Sequence, residues 1–212
     1  MNKPKLILVG GGGHCKSCID VIELEAKYDI VGILDLPEKK GEKILSYEII
    51  GSDNDYETYI QEGCEFLITV GQIKSATIRK TIFEKLNVLN VKMATVISPR
   101  AYISKYAILG KGTIVMHNAF VNVGVQVGVN CILNSNCNIE HDVVIGNHNH
   151  ISTGTFVNGD CKIGNEVFIG SNATISSQVN VGNNVVIGAG TLVIKSISNN
   201  QKAVGVPSKI IQ

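Results

Sequence analysis

From Ile97 to Val193, every sixth residue is Ile, Val or Leu, seventeen positions without exception. Two residues before each stands a second column, Thr95, Ala101, Ala107, Thr113 and onward to Thr191, in which nearly every member is small or β-branched. A period of six matches neither the 3.6 of a helix nor the 2 of a strand. It matches short strands joined by corners. The aliphatic points inward, the small residue shares the tight interior, and Gly or Asn takes a backbone angle that other residues resist. Seven of the aliphatics are followed directly by Gly, at 110, 128, 146, 164, 170, 182 and 188. Three hexads close a triangular coil, and coils stack with their strands about 4.8 Å apart. The pattern predicts a hexapeptide β-helix of five to six coils, which the chain leaves after Val193.

Before this solenoid the pattern is different. Residues 5–9 read as a buried strand, followed by Gly10-Gly11-Gly12-Gly13 and a helical stretch from His14 to about Lys27, with Cys18, Val21, Ile22 and Ala26 on one face. Strands are expected at 30–34, 66–70 and 88–93, helices at 56–61 and 74–86, and a loop at 39–47. Alternating strands and helices imply a small parallel sheet with helices on its faces. The expected fold is therefore α/β plus all-β. A Rossmann-like domain spans residues 1–93 and a parallel β-helix with a C-terminal tail spans 94–212, the boundary falling near Ser98-Pro99.

Composition narrows the function. Aromatics make up 5 % of the 212 residues and Trp is absent, which suits a narrow solenoid interior. A formal net charge of +1 favours neither nucleic acid nor an anionic membrane as partner. The apolar run Leu6-Ile7-Leu8-Val9 is too short for a signal peptide, and no run approaches a membrane span. Cys131, Cys137 and Cys161 fall in the inward column, and Cys15-x-x-Cys18 lacks the second pair a zinc site needs. A reduced, cytoplasmic protein is expected.

Two places carry candidate chemistry. The glycine run ends a strand and opens a helix, which presents backbone N–H groups and a helix N-terminus to an anion such as phosphate. Asp35, at the tip of the next strand, is where dinucleotide folds hold a ribose. Counting G-x-G-x-x-G from Gly10 puts Cys15 where the third Gly belongs, so NAD is not indicated, and a plain structural turn is the other reading. The second place is His141, flanked by Glu140 and Asp142. A carboxylate beside an imidazole fixes its tautomer and raises its basicity, as a general base needs. Gly159 lies one coil of 18 residues further on, so its backbone stacks beside His141. His117, His141, His148 and His150 lack the spacing of β-helix zinc enzymes, so no metal is expected.

With these motifs in hand, the chain resembles the bacterial sugar acetyltransferases that join a nucleotide-sugar-binding domain to a left-handed β-helix. The likeness runs from Gly10-Gly11-Gly12-Gly13-His14 through Ile139-Glu140-His141-Asp142-Val143-Val144-Ile145-Gly146 to Gly205-Val206-Pro207-Ser208-Lys209. It implies that His141 is the general base and that Asp142 increases its basicity. It places Gly12, Gly13, His14 and Asp35 on the nucleotide sugar, Leu36 standing where a second acid can occur, and Asn134 near the acceptor group. His150, Gly159 and Ala189 would contact acetyl-CoA. It also implies a homotrimer with sites between neighbouring β-helices. The leading expectation is N-acetylation of the 4-amino group of a nucleotide-linked deoxysugar by direct attack on acetyl-CoA. The alternative is O-acetylation of sialic acid or a related nonulosonic acid. A non-catalytic or ice-binding solenoid fits poorly, because outward Thr ladders are lacking.

Overall fold

A computed structural model describes residues 3–211. The N-terminal part contains β1 (Lys5–Val9), α1 (Gly13–Glu25), β2 (Asp29–Leu34), β3 (Lys43–Ile44), β4 (Tyr47–Gly51), α2 (Tyr56–Gln61), β5 (Glu65–Ile68) and α3 (Thr77–Val88). Its sheet has the order β3-β4-β2-β1-β5 and is parallel except for the β3–β4 hairpin. Leu6, Leu8, Ile33 and Leu67 are fully buried within it.

Four local expectations are corrected. The 39–47 segment is not all loop, for β3 forms within it and pairs antiparallel with β4, which begins at Tyr47. No strand covers 88–93. Val88 ends α3, Asn90 turns at φ +53°, and only Met93 bridges to Phe66. Ala26 is an exposed left-handed cap at φ +54°, not part of the buried face of α1. The solenoid also continues past Val193. Lys202 and Ala203 pair with Val186 and Ile187, a coil of 16 residues, before a closing hairpin with Lys209–Ile211. The two missing residues take Ile197 and Ala203 out of the six-residue frame while both stay buried.

The β-helix has three parallel faces, as expected of a left-handed hexapeptide solenoid. The first face carries the strands at Val96–Ile97, Ile114–Val115, Ile132–Leu133, His150–Ile151, Phe168–Ile169 and Val186–Ile187. The second carries those at Tyr102–Ile103, Phe120–Val121, Asn138–Ile139, Phe156–Val157, Thr174–Ile175 and Leu192–Val193. The third carries Ile108–Leu109, Gln126–Val127, Val144–Ile145, Lys162–Ile163 and Asn180–Val181. The aliphatic column and the small column together form one continuous core.

The corners obey a rule of their own. Every sixth residue from Gly112 to Gly190, fourteen in all, has positive φ. Those residues are not the glycines that follow the aliphatics. Glycine is needed at the latter because the next coil's backbone stands there: a Cβ on Gly110 would lie 2.5 Å from the carbonyl carbon and oxygen of Gly128.

The N-terminal domain lies on the first face. Outward-pointing Val96, Ile114 and Ile132 are wholly buried and join Cys15, Cys18, Ile19 and Ile22 of α1 in one cluster. Arg79 of α3 is buried and donates to carbonyl oxygens of both domains: Ile68 (2.6 Å), Val70 (2.9 Å), Asn130 (3.4 Å) and Gly112 (3.5 Å). Lys80 pairs with Glu166 at 2.8 Å, and His117 Nε2 lies 2.7 Å from Asp20 of α1. Among the described residues, no helix is long and apolar enough to cross a membrane.

Candidate active site

His141 stands on the corner between the second and third faces, the vertex opposite the N-terminal domain. Asp142 occupies the left-handed corner position at φ +59°, a conformation that Asp tolerates. That bend turns its carboxylate back onto the preceding side chain, and Oδ2 lies 3.0 Å from His141 Nδ1. The hydrogen bond to Asp142 and the charges of Asp142, Asp160 and Glu140 raise the His141 pKa above its ordinary value. With Nδ1–H donating to Asp142, Nε2 is left with its lone pair outward, the arrangement of a general base. Gly159 packs against the ring: a Cβ there would lie 2.6 Å from both Cε1 and Nε2.

The glycine run shapes a second site on the other side of the β-helix. Gly10 ends β1 at φ +106°, with Val70 closing the space where a side chain would go. Gly12 caps α1 and Gly13 opens it, and a Cβ on either would meet nothing within 4 Å. They line a cavity of about 570 Å³ together with His14, Asp35, Lys39, Gly71 and Ile73. A neighbouring cavity of about 530 Å³ shares Gly10, Asp35 and Val70 and runs between Leu36, Asn54, Ile78 and Thr81. The two together form a long groove ending on the helix N-terminus.

Asp35 lies in this groove, but its oxygens are already engaged. Oδ2 accepts from the Gly11 N–H at 2.6 Å, Oδ1 accepts from the Leu36 N–H at 2.7 Å, and Lys39 Nζ lies 3.3 Å from both. Burial alone would raise the Asp35 pKa; these bonds outweigh it and hold the group below its usual range. The first role of Asp35 is thus to hold the glycine loop and Lys39, a cation absent from the sequence-based set.

His14 is partly buried at the start of α1, and its enclosed Nε2 has no partner among the described residues. Burial, helped by Arg79 and His150, lowers its pKa to about 3. His150 is 7 % exposed. Its Nδ1 donates to the Gln72 carbonyl oxygen at 2.5 Å, and its Nε2 accepts from Asn134 Nδ2 at 3.0 Å. Burial lowers its pKa to about 4, so the ring is neutral.

The sequence-selected residues therefore form two groups. His141, Asp142 and Gly159 share the vertex between the second and third faces. Gly12, Gly13, His14 and Asp35 belong to the domain on the first face, which His150 of the β-helix meets through Gln72, with Asn134 and Ala189 on the corner leading to the second face. Gly159 and Ala189 lie on different corners of one chain. Lys39, Gln72 and Asp160 escaped the sequence reading. Lys39 ends a single 3-10 turn and Gln72 sits in a loop, neither with any periodicity, whereas Asp160 follows Gly159 directly. Cys131 and Cys137 are fully buried and desolvation raises their thiols to about 11 and about 12, so neither is poised as a nucleophile.

Residues 5–86 match the PglD N-terminal domain, and residues 160–195 match the bacterial transferase hexapeptide of six repeats. The acetyltransferase domain of PglB from Neisseria gonorrhoeae has a solved structure with TM-score 0.91 and 29 % identity, covering 99 % of this chain and 100 % of that one. The same domain is known in complex with acetyl coenzyme A, at 28 % identity, TM-score 0.91 and the same coverage. PerB from Caulobacter crescentus, solved with CoA and GDP-perosamine, shares the fold at TM-score 0.92 and 24 % identity, over 98 % of this chain and 97 % of that one. An uncharacterized protein of Acanthamoeba polyphaga mimivirus is 36 % identical over 108 residues, which span 51 % of this chain and 20 % of that protein.

Proposed function

We propose, on the premise that this chain belongs to the sugar acetyltransferases joining a PglD N-terminal domain to hexapeptide repeats, that it acetylates the amino group of a nucleotide-linked sugar with acetyl-CoA. The observation that carries this reading is the His141–Asp142 pair with its free Nε2 packed on Gly159. The groove at Gly12, Gly13 and His14 supports a phosphate-bearing acceptor. The acceptor is a 4-amino deoxysugar in this reading.

The acceptor amine attacks the thioester carbonyl carbon, and its proton passes to His141 Nε2. The imidazolium is held by Asp142. Collapse of the tetrahedral adduct breaks the C–S bond, and the departing CoA thiolate takes the proton back from Nε2, so the base is regenerated. The buried, raised thiols of Cys131 and Cys137 are unsuited to form an acyl-enzyme, which supports direct transfer.

One chain holds its base and its nucleotide loop on opposite sides of the β-helix. The reading therefore includes a homotrimer in which His141 of one chain faces the loop and Asn134 corner of a neighbour. Exposed apolar groups on the outer faces suit such packing: Tyr102 (57 % exposed), Phe156 (48 %) and Ile108 (64 %).

The test is His141→Ala. Loss of a general base lowers kcat/KM by about 10²–10⁴ while acetyl-CoA binding persists. A variant within about threefold of the parent removes His141 from the mechanism.

A further inference from the structure

The coil above His141 contributes more than the bare backbone of Gly159. Asp160 follows, and its N–H donates to the His141 carbonyl oxygen at 3.1 Å. One ring nitrogen of His141 and one carboxylate oxygen each of Asp142 and Asp160 lie within 4.8 Å of one another. Asp142 and Asp160 occupy successive places in the left-handed corner column, both at φ +59°. That conformation does not ask for a charge. Asn holds it at 118, 130, 136, 172 and 184, and Gly at 112, 124, 154 and 190. Two acids stacked beside the imidazole therefore need a reason other than the turn.

The geometry points to Asp160 as a second carboxylate of the base, a positioning residue that shares with Asp142 the imidazolium formed when His141 takes the acceptor's proton. This rests on the reading of His141 as base. The two acids divide the work. Asp142 lies at 3.0 Å from Nδ1 and fixes the tautomer. Asp160 arrives from the next coil, beside the Gly159 backbone on which the ring rests. A single exposed ion pair is weak because water screens it. Two carboxylates around one ring hold its positive form more firmly. Glu140 is the third acid whose charge reaches His141, and it is engaged by Asn122 Nδ2 at 2.7 Å. Desolvation works against the charged ring, and the hydrogen bond to Asp142 with the three acid charges outweighs it.

The test is Asp160→Asn, which keeps a side chain that this corner accepts elsewhere in the chain. The His141 ring titration is followed by NMR in the labelled full-length protein, with acetyl-CoA affinity as a control for integrity. Removing the carboxylate removes a charge that favours imidazolium, so the midpoint falls by about half a pH unit or more. The acidic limb of kcat/KM moves to lower pH in parallel, and the high-pH plateau falls several-fold as the base weakens. Asp142→Asn/Asp160→Asn shifts the midpoint further than either change alone. A His141 midpoint in Asp160→Asn equal to that of the parent overturns the proposal. Failure of the base reading is seen separately, as full activity in His141→Ala, and leaves the titration result standing on its own.

Discussion

The main-chain oxygen of Gln72 accepts a 2.5 Å hydrogen bond from Nδ1 of His150, joining the loop after β5 to the first face of the β-helix. The bond fixes the tautomer and hands the other nitrogen to Asn134. His14 and His150 are both held neutral by burial, with pKa values near 3 and 4. Unfolded, each titrates near its ordinary value of about 6.5. Between about pH 4 and 6.5 the unfolded chain binds protons that the folded chain refuses, so stability falls as pH drops through this window. At about 1.4 kcal/mol per pKa unit, the pair accounts for several kcal/mol at the acidic end. Urea denaturation from pH 7 down to 4.5 should show this slope, and His14→Gln and His150→Gln should each flatten it. Parallel slopes in parent and variants would refute the assignment.

Gly159→Ala should damage catalysis far more than folding. The added methyl lands 2.6 Å from His141 Nε2, the atom proposed to take the proton. Gly159 is not among the positive-φ residues, so the backbone accepts Ala. The side chain of His141 is 51 % exposed and can swing away. A displacement of this size costs roughly a hundredfold in rate. The expected result is kcat/KM lowered to that extent with a nearly unchanged melting temperature. Activity close to the parent's would show that the ring does not act from this position.

Arg79 should prove the main polar tie between the domains. It has four carbonyl partners and, among the described residues, no carboxylate paired with it, and burial lowers its pKa to about 10. Arg79→Met keeps much of the volume but leaves the oxygens of Ile68, Val70, Asn130 and Gly112 without that donor. Each buried carbonyl left unpaired costs about 1–3 kcal/mol, so after partial relaxation a loss of about 3–5 kcal/mol is expected. Equilibrium denaturation measures it. A Met variant as stable as the parent would show these contacts to be incidental.

The β-helix could be read from sequence because each inward residue meets its own kind one coil away, so the constraint repeats in phase. The left-handed column was harder. Glycines after the aliphatics are conspicuous, yet they answer to close stacking, whereas the true corner column mixes Gly and Asn with Asp142, His148, Asp160, Glu166 and Gln178. Most of these departures have partners that depend on the fold. His148 meets Asn130 and Phe83, Glu166 meets Lys80, and the two Asp residues meet His141; nothing in the structure explains Gln178. The β3–β4 hairpin is faint in the sequence because its outer strand β3 is only two residues long and β4 shows weak alternation, with Ile49 and Gly51 its buried positions. Gln72 was illegible for another reason: its contact with His148 spans 76 residues of sequence, and no local pattern encodes it.

The separation of His141 and the glycine loop on opposite sides of one β-helix leads to a prediction about mixed assemblies. Gly13→Val places its branched side chain in open space at the start of α1, inside the cavity lined by Gly12, Gly13 and His14. The chain should fold, retain acetyl-CoA affinity and lose acceptor binding, because methyl groups now occupy the approach to the helix N-terminus. His141→Ala has the complementary lesion, an intact loop and no base. Either variant alone is then nearly inactive. If each site joins the loop of one chain to the base of its neighbour, co-expressed variants contain some sites with both parts intact. Random assortment at equal amounts restores about a quarter of the parent activity in a closed trimer. Light scattering on the purified mixture should report trimers, and separately tagged chains should copurify. Trimers that contain both variants yet show no activity beyond the sum of the two variants assayed alone would place loop and base in the same chain's site, and the intersubunit arrangement would have to be abandoned.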